Sequence, residues 1–136
     1  MRFICKPQLF LLFSFALLAC AGCGKQQTQL APVHGTVYYK KQPLKGGTIV
    51  FVPDADRGGR GPMARAEIKP DGTYTLTTGP DGGCVAGWHR ITIKGSDQAT
   101  QGTPLALPTA FCDPDTSGLS REVKAGEDNT IDLYLN

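Results

Sequence analysis

The sequence predicts an all-β fold, a seven-stranded antiparallel β-sandwich of Greek-key type. Three observations carry that reading. From Val33 onward apolar and polar residues alternate with a period of two: Val33, Gly35, Val37 and Tyr39 share one face, and His89, Ile91 and Ile93 oppose Trp88, Arg90 and Thr92. Turn-forming residues punctuate these runs, and no segment repeats its apolar residues at helical spacing. About a hundred residues follow Leu30, enough for one domain that buries roughly two-thirds of its unfolded surface.

The elements follow in chain order. Residues 1–22 are expected to be a lipoprotein signal peptide: Arg2 and Lys6 are cationic, and residues 9–19, LFLLFSFALLA, form an uncharged run too short for a spanning helix of roughly 20 residues. Residues 23–32 are polar and small, a flexible tether. The sandwich domain is expected over 33–136. Its strands are read at 33–40, 47–53, 63–69, 72–78, 87–94, 119–124 and 129–135. Pro43 with Gly46-Gly47, the Pro70-Asp71-Gly72 turn and residues 125–129 separate them. Two stacked sheets would enclose Val37, Ile49, Phe51, Ile68, Tyr74, Leu76, Ile91, Ile93, Leu119, Ile131 and Leu133 in a layer ~10 Å thick.

Charge limits the partners. Without Arg2 and Lys6, 12 of the 14 basic residues stand against 12 acidic ones, and no basic stripe is evident, which argues against nucleic acid and polybasic membrane docking. The membrane partner is instead the lipid on the cysteine that follows the apolar run. Leu17-Leu18-Ala19-Cys20 and Cys20-Ala21-Gly22-Cys23 both resemble a lipobox, where lipoprotein signal peptidase cuts and the new N-terminal cysteine is acylated. Neither cysteine precedes an aspartate, the inner-membrane retention signal of well-studied sorting systems, so the expected location is the cell envelope at the outer membrane.

From Val33 to Leu135 the chain resembles a carboxypeptidase regulatory-like domain, through VHGTVYYKKQPLKGGTIVFVP, IKPDGTYTLTT, GWHRITIKG and DPDTSGLSREVKAGEDNTIDLYL. The resemblance implies a transthyretin-like sandwich with no catalytic residues, acting as a docking or folding accessory. Transthyretin-like hydrolases end in a tyrosine-arginine-glycine-serine signature, whereas this chain ends Ile131-Asp132-Leu133-Tyr134-Leu135-Asn136.

The residues agree with that absence of chemistry. Ser96, Ser117 and Ser120 lie outside any nucleophile-elbow motif, and His34 and His89 read as ordinary strand residues. No cofactor and no metal are expected. His34, Cys84 and His89 form a loosely copper-like set, the alternative reading being a small exported enzyme or metal-binding protein, but residues 90–97, just past the second histidine, hold no Met or Gln to serve as axial ligand. Residues 113–118, DPDTSG, imitate half a calcium loop, yet Lys124 stands where such a loop needs Glu, leaving turns capped by aspartate. Asp54 and Asp56 before RGGRG mark a mobile tip. Cys84 and Cys112, the cysteines inside the domain, are expected to form a disulfide closing a loop of just under thirty residues, worth about 3.5 kcal/mol. Two separate thiols are the alternative. Pairing them favours Cys23 as the lipidated residue, since cleavage before Cys20 would leave an odd thiol. The partners expected for loops 54–62, 79–87 and 96–112 are envelope proteins or polysaccharide.

Overall fold

Residues that alternate in the sequence alternate in burial. A computed structural model describes residues 28–96 and 106–136, so the apolar run, Cys20 and Cys23 lie outside the described residues. The strands are β1 (Leu30–Ala31), β2 (Val33–Tyr39), β3 (Gln42–Pro43), β4 (Gly47–Pro53), β5 (Ala64–Ile68), β6 (Thr73–Thr75), β7 (Thr77–Thr78), β8 (Asp81–Gly82), β9 (Cys84–Val85), β10 (Gly87–Gly95), β11 (Ser120–Val123), β12 (Asn129–Thr130) and β13 (Leu133–Leu135). Short 3-10 turns occupy Ala55–Arg57 and Thr109–Cys112. The chain is all-β, as expected.

One sheet has the order β11-β10-β4-β5-β7-β8. The other is built on β2, with β12 and β13 along one edge and β3 and β6 along the other. Between them lie Val33, Val37, Ile49, Phe51, Tyr74, Leu76, Ile91, Ile93 and Leu133, all at most 1% exposed. Of the expected core, Leu119 alone is half-buried, packed against the margin. Ala31, Tyr39, Leu44, Val123, Leu135 and the imidazole of His89 complete the interior.

Each of the seven expected strands is present, but two are interrupted. The run 72–78 breaks at Leu76: β6 pairs with β2, and β7 pairs with β5, so the segment crosses from one sheet to the other. The run 129–135 breaks at Ile131 and Asp132, although its register with β2 is the same on both sides (Asn129 opposite Val33, Leu133 opposite Val37). Gly35 explains the closeness of this crossing, since a Cβ there would lie 1.9 Å from the Ile131 carbonyl oxygen. The Asp132 carboxylate fills the gap by accepting from the Thr36 amide at 2.8 Å.

Two expectations are corrected. The strands are not all antiparallel: β12 and β13 run parallel to β2. β11 returns antiparallel along β10 and finishes at Val123 opposite Gly87, so the chain re-emerges at the end where β2 begins and must run beside it in the same direction. Nor does the tether extend to residue 32. Leu30 and Ala31 pair with Val85 and Cys84, and Ala31 is 1% exposed.

These pairings give the sandwich two distinct ends. β1 enters at the near end, which also carries residues 54–63, 79–86 and 124–128. β2 and β10 both run away from it, and β4 runs back, with Pro53 opposite His89 and Gly47 opposite Gly95. The far end therefore carries residues 40–46, 69–72 and 96. At ~3.3 Å per residue, β2 separates the ends by roughly 20 Å.

Candidate binding surface

Cys84 and His89 meet in the core, both 0% exposed. The His89 Nδ1–H donates to the Gly87 carbonyl at 2.9 Å, which leaves Nε2 to accept from the Cys84 thiol at 3.3 Å. Burial pushes the Cys84 thiol up to about 12 and holds His89 below its ordinary value. The pair is consequently a neutral thiol and a neutral imidazole, the reverse of the thiolate-imidazolium couple that a nucleophilic cysteine requires.

Cys112 is elsewhere, so the expected disulfide is not made and both thiols are free. Its Sγ faces the Ile93 carbonyl at 3.7 Å. His89 and Ile93 are four residues apart on one strand, about 13 Å, whereas a disulfide needs Cα atoms within roughly 7 Å. The 3-10 turn carrying Cys112 lies along β10 beyond the reach of β11, while Cys84 lies under the first turn of that strand. His34 joins neither residue. It stands on the outer face of β2, and its Nε2 is 3.1 Å from Asp128. The structure thus brings together two members of the set His34, Cys84 and His89 and leaves the third outside.

The acidic loops serve the backbone. Asp113 Oδ1 accepts from the Asp115 amide at 2.7 Å, and its carbonyl accepts from Ser117, the capped turn read from the sequence. Asp54, expected on a mobile tip, is instead buried, 4% exposed, and caps the Ala55–Arg57 turn. Its partner is Arg90. The guanidinium Nε lies 3.2 Å from Asp54, and the two terminal nitrogens donate to Asp56 and Asp115. Asp56 foremost, then Asp54, holds that guanidinium charged. Arg57, 3.6 Å from Asp54, lies over the Trp88 ring at 4.3 Å. A shallow depression of about 160 Å³ opens beside Val52, Pro53 and Pro114, but the Arg90 that lines it has its charge already matched by three carboxylates. This cluster ties the 54–59 loop and the 113–117 turn to β10.

The far end has another character. Every described lysine except Lys124 lies there: Lys40, Lys41, Lys45, Lys69 and Lys94, with Glu67 and Asp71 as the acidic residues among those described. The loops bearing them abut, because Gly72 sits against Pro43 and Gly46 against Ser96. Lys40 and Lys41 form the two-residue turn between β2 and β3 with φ of 48° and 67°, a left-handed conformation usually given to Asn-Gly. Lys40, Lys41, Lys45 and Lys69 form no ion pair with a described acidic group. Beside them, Tyr38 and Tyr134 face each other across β2 and β13 and stack, centroids 4.9 Å apart and planes within 5°. Tyr134 is 64% exposed. The near end, in contrast, is mixed: Asp54, Asp56, Asp81, Glu122, Glu127 and Asp128 stand among Arg57, Arg60, Arg90, Arg121 and Lys124, several of them ion-paired.

Sequence reasoning missed this surface because its lysines are scattered over four segments and form no run. The signal was a Lys-Lys pair in a turn position after two tyrosines. Comparison with family models, with curated proteins and with solved structures gave no match.

Proposed function

We propose that the chain is a lipid-anchored lipoprotein of the bacterial cell envelope, and that its sandwich, of the carboxypeptidase regulatory-like kind, is a non-catalytic binding or structural module. Cys23 is the proposed anchor and Cys20 its alternative, with the outer membrane as the proposed location. The observation that carries this reading is the position of β1. A tether from Cys23 to Leu30 reaches at most roughly 25 Å, so a lipidated cysteine would hold the near end beside the bilayer and present the far end away from it. The neutral, sealed state of Cys84 and His89 supports a module without a nucleophile, and the outward position of His34 speaks against the metal-binding alternative.

Loops 54–62 and 79–87 then face the membrane rather than project from it. The far-end lysines and tyrosines become the presented surface. Mass spectrometry of the N-terminal peptide from envelope fractions tests the anchor. A diacylglyceryl group on Cys23, with release of the C23A protein from membranes, is the expected result; an unmodified N-terminus would refute the reading.

A further inference from the structure

We infer that the far end binds an acidic polysaccharide, an inference that rests on the anchored-module reading and names its partner class. Three independent features converge there. The first is charge: Lys40, Lys41, Lys45 and Lys69 extend from adjoining loops with no described acidic group in ion-pair contact, Lys40 lying over the Tyr39 ring at 5.3 Å and Lys69 near enough to Asp71 to help Thr73 hold its carboxyl low, so this end offers a surplus of ammonium groups to carboxylates or other acidic substituents spaced along a polymer. Lysine suits such a partner because it is a flexible point charge that needs no fixed bidentate geometry.

The second feature is aromatic. The stacked Tyr38–Tyr134 pair lies in the same corner, with Tyr134 largely in solvent. An exposed ring on a rigid strand offers a flat apolar face with a hydroxyl at its margin, which matches the mixed apolar and polar faces of a sugar ring. The third is conformational. Two non-glycine residues in the left-handed region make an unfavourable turn, costing about 1 kcal/mol each, yet the turn places two lysines at the outermost point of the hairpin. Asn-Gly would relieve the strain and remove both charges.

A single-stranded nucleic acid would also use cations and rings. The exported setting and the formally neutral mature chain favour the glycan.

The test uses the full lipoprotein in detergent micelles with three probes: polygalacturonate, uncharged dextran and a single-stranded oligonucleotide. Polygalacturonate is expected to bind with an affinity that falls as salt rises, and dextran is not. K40N/K41G, K45E/K69E and Y134A are each expected to weaken binding, the lysine pairs by tenfold or more. K40N/K41G relieves the strained turn and so keeps the fold, which separates lost binding from unfolding; circular dichroism on each variant confirms this. Absence of polygalacturonate binding, equal binding by the lysine variants, or tighter binding of the oligonucleotide would overturn the inference. Flotation of the same preparation with vesicles is scored separately. Protein that binds polygalacturonate but does not float refutes the anchor while sustaining the glycan site, and protein that floats without binding refutes the site alone.

Discussion

Cys84 and His89 hold each other neutral because the core offers neither of them water. Native protein should therefore expose one reactive thiol in the domain, Cys112, with Cys84 reacting only on unfolding. Timed thiol labelling with and without denaturant checks this, and failure of both to react until a reductant is added would restore the disulfide. His89 also gives a pH dependence with a definite sign. Its folded pKa lies below the ordinary value of about 6.5, so the unfolded chain binds the proton first. Stability is complete above that value and falls as pH drops through 6.5 toward the folded pKa. Urea midpoints at pH 7.5 and 5.5 should show the loss, and H89Q should show a smaller one. The sequence marks His89 as an ordinary strand residue but does not show its bond to Cys84. Alternation puts residue 89 on the inward face, but whether an inward histidine is a ligand or a satisfied core group depends on Gly87 and Cys84 arriving beside it. With the two thiols free, the parity argument for Cys23 also loses its premise, and Cys20 and Cys23 stand again as alternatives for the proposed anchor.

At the scale of elements, period-two patterning located all seven long runs, because a sheet with one face buried enforces alternation. It could not locate β1, β3, β8 and β9, two-residue segments with no period to read. It also passed over the breaks at Leu76 and Ile131–Asp132, since a strand that changes partner keeps its alternation. Gly35 is the residue on which the second break turns. G35A should cost about 3 kcal/mol, the result of forcing a methyl group against the Ile131 carbonyl, and Y74F should cost about 1 kcal/mol by removing the buried 2.6 Å bond to that same oxygen. Equilibrium urea unfolding measures both. In the β2–β3 turn the direction reverses: K40N/K41G should raise stability by about 1 kcal/mol, because the replacements adopt the left-handed conformation that lysine resists. A turn that became less stable would mean that the lysines are held by bonds to their surroundings.

The whole molecule is a sandwich with unlike ends, of mixed charge where β1 enters and lysine-rich opposite. The strand set and most of the core could be read from sequence, whereas this polarity could not, because it is created by topology, which gathers Lys40, Lys45, Lys69 and Lys94 from separate turns and strands. The Arg90 cluster stiffens the near end by tying two loops to β10. R90A should leave the sandwich folded and open residues 54–59 to limited proteolysis, read by mass spectrometry of the first fragments. In the proposed orientation the domain stands on its near end. Trp88, the single tryptophan, lies at the near end of β10, and Tyr134 lies at the far end of β13. The most direct test reconstitutes the full lipoprotein into vesicles whose lipid headgroups carry a nitroxide and compares quenching of Trp88 with that of Trp in the W88F/Y134W variant. Strong quenching is expected for wild type and weak quenching for the variant; equal or reversed quenching would show that the domain does not stand on its near end.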